Sequence, residues 1–353
     1  MTHPRIGRRA FLATALGGAG LAVLPALRLA RVRAQAKRSL TIDTLASVAA
    51  INVPMQQVLN EGLGEQPGFT PAQIQRNEHM PMGIQSVVSG TTDMGDGDVP
   101  SILRAAEAGA DVRILGLSYN NTSQAIVVNG DRLKTLEELQ KPNITIAVNS
   151  AGDFMHVILI GTLLKHKIDP TKVTVVEIGG SVNRTRALLA GKVDAATIHI
   201  EQAGSIAERG NFQILVRPWQ EYPAYFSAAI FATESWLQKP GNRPAALAFV
   251  KATLIAFRKT NADFAWYEEK YRKYNSSKEA RTAPTATIQE TWRLLRDEVK
   301  GWPDDMETLT VENFVSLKPA YQAAGAIKGT VDFAKLVDRS ILDQALAELH
   351  RRA

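Results

Sequence analysis

Short apolar runs alternate with amphipathic stretches along most of the chain. Leu40-Thr-Ile-Asp-Thr-Leu45 reads as a strand, and Asn52 with Pro54 opens a helix that stops around Gly62 and Gly64. Ile84, Val87 and Val88, at helical spacing, lead to Gly90 and a short strand at Thr92 to Gly95. The next helix starts at Pro100 and closes at Gly109, and Val112 to Leu117 is an apolar run that favours a strand. Strands alternating with helices imply a mostly parallel sheet covered on both faces.

The same order restarts after Asn129-Gly130. Thr135-Leu-Glu-Glu138 is a capping box for a short helix, Ile144 to Val148 is a strand, and a helix apolar on most sides runs from Phe154 to Lys165. Strands at Val173 to Ile178, Ala195 to Ile200 and Gln213 to Val216 complete a second α/β lobe. A weak internal repeat supports two similar lobes: Ser86-Val-Val-Ser-Gly90-Thr-Thr-Asp93-Met-Gly95 parallels Ala187-Leu-Leu-Ala-Gly191-Lys-Val-Asp194-Ala-Ala196. In both copies a helix ends at a glycine suited to left-handed geometry, and an aspartate precedes a buried strand. After Tyr222 come a last strand, Ala228 to Ala232, and then helices, one capped by Asn242 and one by the box Thr287-Ile-Gln-Glu290. These helices are expected to pack back on the first lobe.

Length agrees with two lobes, since 353 residues with 45% apolar content exceed one ordinary core. The formal charge of +6 does not indicate a nucleic-acid partner. Residues 1–36 hold six arginines and no acidic residue, so the remainder is neutral. That segment has the anatomy of an export signal: a basic start, an apolar run from Ala10 to Leu27, and Ala34-Gln35-Ala36 as a cleavage site. Arg8-Arg9-Ala10-Phe11-Leu12 resembles the twin-arginine type, which places the mature protein, from near Lys37, in the periplasm.

The chain contains no cysteine, which excludes disulfides, thiolate metal sites, thiol nucleophiles and a lipid-bearing N-terminal cysteine. Its six histidines form no metal-ligand pair at useful spacing, and no Gly-x-Ser-x-Gly, phosphate-loop or dinucleotide fingerprint occurs. Catalytic residues, cofactors and metals are therefore not expected. A twin-arginine-exported enzyme remains the alternative, as does the binding subunit of a sensor.

Ala49-Ala50 at the exit of the first strand, Val88-Ser-Gly-Thr-Thr-Asp-Met-Gly95, Leu136-Glu-Glu-Leu139 before Ile144-Thr-Ile-Ala-Val148, and Leu188-Leu-Ala-Gly-Lys-Val-Asp-Ala195 follow one another in a characteristic order. In these the chain resembles the ABC importer binding proteins that include nitrate, sulfonate, taurine and thiamine-precursor receptors. The resemblance spans about residues 40–240. It implies the bilobed α/β periplasmic-binding-protein fold of type II, with two crossover strands, near Tyr119 to Ser123 and near Glu221 to Phe226. Lobe 1 is then residues 38–121 and 223–353, and lobe 2 residues 122–222. The function implied is that of a soluble, monomeric subunit that captures a small organic or oxyanion ligand between the lobes. It would deliver that ligand to a membrane permease and its ATPase. Relatives of this fold also include a thiamine-precursor synthase and a desulfinase, whose chemistry uses cysteines that this chain lacks.

In such sheets the ligand crevice lies beyond the carboxyl ends of strands, where helix N-termini present free N–H groups. That geometry selects loops 47–52, 96–100, 149–154 and 179–183, and with them Ala49, Asp96, Asp98, Ser150, Gly152, Phe154, Gly180 and Ser181. His199 and Glu201 follow a fifth strand end, and Tyr119 and Tyr222 sit near the crossovers, where with Phe154 they could stack on a planar ligand. Ser150 or Asp153 could instead cap its own helix, and the glycines could serve only as turns. Asp96, Asp98 and Glu201 favour a ligand with an amine or another donor, whereas Arg184 or Arg186 would favour an anion. The sequence leaves that sign open.

Overall fold

Two five-stranded sheets share one order with an antiparallel strand in fourth place, which in the first sheet returns from later in the chain and in the second is the first strand of its own segment. The computed structural model describes residues 37–222 and 225–351. The leader expected at residues 1–36 lies outside the described residues. Strands are β1 (Thr41–Leu45), β2 (Gln73–Asn77), β3 (Met94–Asp98), β4 (Val112–Tyr119) and β5 (Gln124–Asn129). They continue with β6 (Thr145–Val148), β7 (Thr174–Glu177), β8 (Ala195–His199), β9 (Phe212–Val216) and β10 (Ala228–Thr233). The sheet orders are β2-β1-β3-β10-β4 and β7-β6-β8-β5-β9. Within each, the first three strands pair in parallel, while β10 and β5 run antiparallel to both neighbours. The chain thus passes from the first sheet to the second between Tyr119 and Gln124, and returns between Val216 and Ala228.

Helices α1 (Val53–Gln57), α2 (Met80–Val88) and α3 (Val99–Glu107) belong to the first segment. The second segment contributes α4 (Phe154–Lys165), α5 (Ser181–Leu189), α6 (Ile200–Ala207) and α7 (Pro218–Glu221). After β10 the chain is helical, in α8 (Glu234–Leu237), α9 (Asn242–Ala262), α10 (Phe264–Tyr274), α11 (Lys278–Thr282), α12 (Thr285–Arg293), α13 (Val311–Ala323), α14 (Phe333–Leu336) and α15 (Ser340–His350). No described helix is long and apolar enough to cross a membrane.

The internal repeat has a physical counterpart. Gly90 and Gly191 adopt φ of +75° and +63° at the ends of α2 and α5. Asp93 then accepts the N–H of Thr41 at 2.8 Å through Oδ2, and Asp194 accepts the N–H of Thr145 at 2.8 Å in the same way. In each sheet one aspartate thereby fixes the start of the first strand to the approach of the third.

Several expected boundaries move. The strand expected at Thr92 to Gly95 is β3, because Thr91 and Thr92 donate back to Ser86 and finish the turn after α2. Glu138 does accept the N–H groups of Lys134 and Thr135, but the box closes only a single tight turn, Glu137–Gln140, before Pro142. Gly241, not Asn242, precedes α9, and the Asn242 amide donates to the Trp236 carbonyl instead. Pro284 starts α12, which leaves Thr287 inside the helix. Of the C-terminal helices, α9 packs on α1 and β4 and carries α15, whereas α13 packs on α4 in the second segment. Two strands had no signal in the apolar pattern. Edge strand β2 reads Gln-Ile-Gln-Arg-Asn and is partly exposed throughout, and β5 lies where the sequence suggested only a crossover and a restart.

Candidate ligand-binding cleft

Loops at the carboxyl ends of strands from the two sheets meet face to face. The Ala50 N–H donates to Glu201 Oε1 at 2.7 Å, and the Phe154 N–H to Asp98 Oδ1 at 2.7 Å. Asn149 Nδ2 donates to the Glu78 carbonyl at 3.2 Å, and the His79 ring meets the Ser150 hydroxyl at 3.2 Å. Between these contacts lie two small cavities of about 20 Å³ each, both lined by Leu45, Ser47, Asn52 and Tyr119. Each has room for about one water molecule.

The cavity against the first sheet is acidic. Asp43, Asp96 and Asp98 line it with Asn77, His79 and Gly83. Asp43 takes the Asn77 amide on Oδ2, and its Oδ1 lies so close over α2 that a Cβ on Gly83 would clash with it. Burial, aided by the charge of Asp96, pushes the Asp43 carboxyl up to about 7 against the Asn77 hydrogen bond. Asp96 accepts the Thr44 hydroxyl at 2.8 Å and is also raised, by burial. Asp98 is committed twice, to the Ser101 N–H at the start of α3 and to Phe154 at the start of α4. Burial and the charges of Asp96 and Asp98 push the Tyr119 phenol up, so it remains protonated.

The cavity against the second sheet is lined by Arg184, His199, Asn149, Gly180 and Ser181. Arg184 is fully buried and donates to the carbonyls of Thr197 and Gly179 and to Gln124 Oε1. With its oxygen so engaged, the Gln124 amide nitrogen donates to His199 Nε2 at 2.7 Å, which leaves His199 Nδ1 to donate to the Ser123 hydroxyl at 2.6 Å. Burial, then the Arg184 charge, lowers His199 to about 3, so the ring is neutral. Ser181 donates to Gln202 from the first turn of α5, and Gly180 faces Ser47 and Glu78 across the gap.

Of the twelve residues expected here, Asp96, Asp98, Tyr119, Gly180, Ser181 and His199 line the two cavities. Ala49, Ser150 and Glu201 sit at the contacts that close them, Ala49 beside the Ala50 N–H. Burial raises Glu201, and its Oε2 has no hydrogen-bond partner among the described residues. Gly152, Phe154 and Tyr222 lie outside both cavities. Gly152, at φ +67°, is covered by the Arg104 guanidinium. Phe154 and Tyr222 pack on Tyr225 with ring centroids 6.0 and 5.6 Å away, and Tyr225 in turn meets Tyr321 of α13. The Phe154 and Tyr222 rings thus pack where the chain returns between sheets, while Tyr119 lines both cavities.

Sequence reasoning passed over Asp43, Asn77, Glu78 and His79, and reached Asn52 only as the end of the loop 47–52. An aspartate inside the otherwise buried strand Leu40 to Leu45 was the available signal for the first. Asn77 to His79 follow β2, whose polar pattern hid the strand and so its carboxyl end. Of the two arginines left open, Arg184 lines the inner cavity and Arg186 an outer one near Ser277 and Lys278. Among the described residues, no three His, Asp or Glu side chains converge as metal ligands.

A family model described as NMT1/THI5-like matches residues 73–263. The chain belongs to this family. No curated protein matches the sequence. Among solved structures, the alkanesulfonate-binding protein SsuA from Xanthomonas axonopodis pv. citri bound to MOPS is 18% identical with a TM-score of 0.69, covering 86% of this chain and 100% of its own. The periplasmic nitrate-binding protein NrtA from Synechocystis PCC 6803 is 11% identical with a TM-score of 0.71, at 89% coverage of both chains. The desulfurization enzyme DSZB is 12% identical with a TM-score of 0.59, covering 89% and 100%. The fold of this NMT1/THI5-like chain is accordingly the bilobed α/β periplasmic-binding-protein fold, which carries both receptors and an enzyme.

Proposed function

We propose that the protein is the substrate-binding subunit of an ABC importer. The observation that carries this reading is the polar cleft between two sheets of equal strand order, closed by hydrogen bonds from both sides. Cavities of water size admit no ligand in this closed, empty form, so capture requires the lobes to part and then close again around the ligand, less tightly than they close on each other. Lobe 1 is residues 38–121 and 223–353, lobe 2 residues 122–222, and the connections between them are the hinge. Ligand bridging the lobes stabilises the closed form, whose outer surface a membrane permease and its ATPase read. The basic leader and its twin-arginine pattern support export to the periplasm, where a monomer would act.

The test is thermal unfolding of the purified protein, alone and with small organic acids, amines, oxyanions and heterocycles, paired with solution scattering. A ligand at about a hundred times its dissociation constant stabilises the fold by about 2.7 kcal/mol. One compound that raises the midpoint and contracts the scattering profile is the expected result. Unchanged midpoints and profiles with every compound would sink the reading.

A further inference from the structure

The two halves of the cleft carry groups of opposite sign, and among the described residues none of Asp43, Asp96 and Arg184 makes an ion pair; Arg76 acts on Asp96, and Asp153 on Arg184, only through the longer-range field. On the first sheet, Asp43 and Asp96 are 4% and 8% exposed, and their partners are an amide and a hydroxyl. Asp43 Oδ1 sits at the cavity over Gly83, a position that no side chain at residue 83 could share. On the second sheet, Arg184 is 0% exposed, and its partners are two carbonyls and one amide oxygen. A guanidinium has five N–H donors, and three bonds leave two of them without a partner among the described residues. Gly180 and Ser181, at the start of nine-residue α5, line the same cavity and add the positive end of that helix.

Buried charges are stable when paired, and an unpaired one costs several kcal/mol. The carboxylates and the guanidinium face cavities that share Leu45, Ser47, Asn52 and Tyr119 as walls, so one molecule can reach both. We infer that the ligand is a small zwitterion, with an ammonium or amidinium end at Asp43 and Asp96 and an oxyanion end at Arg184 and the first turn of α5. This rests on the receptor reading and narrows it. Because the two ends sit on different lobes, such a ligand is held fully only when the cleft is closed, which couples recognition to closure. Asp98 is not counted among its partners, since two backbone N–H groups already occupy that carboxylate.

Titration calorimetry on the purified protein tests this with β-alanine, γ-aminobutyrate and 4-guanidinobutyrate as two-ended probes. Butyrate, ethanesulfonate and nitrate are the anionic controls, putrescine the cationic one, and cytosine a neutral ring with donors and acceptors. The expected result is binding of a two-ended probe, with loss of either end weakening it about 10- to 100-fold, the worth of one charge-assisted hydrogen bond. Asp43→Asn is expected to lower the two-ended affinity by a similar factor and to leave that for butyrate unchanged. Arg184 ties β8 to α5, so the anionic end is read from the ligand series and not from a substitution there. A one-ended compound or cytosine that binds as tightly as every two-ended probe would overturn the zwitterion and leave the receptor standing. Unaltered two-ended affinity in Asp43→Asn would do the same. No binding by any probe would overturn both.

Discussion

The carboxylate of Asp98 accepts the backbone N–H of Phe154 at 2.7 Å across the cleft while its other oxygen accepts that of Ser101 at 2.9 Å. One side chain from the first sheet thus caps α3 in its own segment and α4 in the other. Asp153 is the usual cap of α4 through His156, so two carboxylates meet where the helix starts converge. The closed lobes are held by the ends of their helices, at a cost in charge repulsion. Burial raises both groups, and for Asp153 the Asp98 charge raises it further.

Asp98→Asn tests that cost through pH. A carboxyl raised in the folded state keeps a proton that the unfolded chain releases, so its contribution to stability declines as pH rises above the ordinary carboxylate value. Neutral His199 acts in the opposite sense, losing stability as pH falls below the ordinary histidine value toward 3, so the informative quantity is the difference between variant and wild type. Burial raises Asp98 to about 6, so thermal unfolding should show Asp98→Asn gaining on wild type from pH 4 to pH 7, by at most about 1.4 kcal/mol per pH unit for one proton, and levelling off above that. A constant difference would mean that Asp98 titrates normally.

Glu201→Ala should bias the empty protein toward the open form. It removes the acceptor of the Ala50 N–H, a charge-assisted bond worth about 1.5–3 kcal/mol, which is about tenfold or more in the ratio of closed to open. Scattering should show a larger radius of gyration for the variant without ligand. Identical radii would mean that this contact does not hold the lobes together.

Gly180→Ala separates closure from folding. Its φ of −55° suits alanine, yet in the closed form an ideal Cβ would lie 2.7 Å from Ser47 Oγ and 3.2 Å from Glu78 Oε2, both on the opposite segment. The unfolding midpoint without ligand should stay within about 2 °C of wild type, while ligand affinity falls about tenfold. A lowered midpoint with unchanged affinity would refute the assignment of Gly180 to the closing surface.

Local signals carried the alternation of strands and helices. A glycine that takes positive φ and an aspartate three residues on are legible because each acts on its own turn, as Gly90 with Asp93 and Gly191 with Asp194 show. The buried strands β4, β8 and β10 were legible because continuous burial demands continuous apolar residues, even for β4 at a sheet edge, where helices cover it. Edge strand β2 satisfies its hydrogen bonds on one side only and tolerates polar residues, so the strand and the cleft residues after it, Glu78 and His79, gave no pattern.

The sequence by itself determined two α/β units, the strand ends that point at a cleft, and the absence of thiol chemistry, since these depend on periodicity, turn residues and composition. Only the tertiary structure decided which of the polar residues there are spent on the protein and which face open space. Asp98 and Asp153 had the same chemistry as Asp43 in the sequence, but helix starts converging from two sheets engage the first two, and Gly83 leaves room beside the third. Whether a buried charge is answered depends on groups tens to hundreds of residues away, and no local pattern encodes that distance.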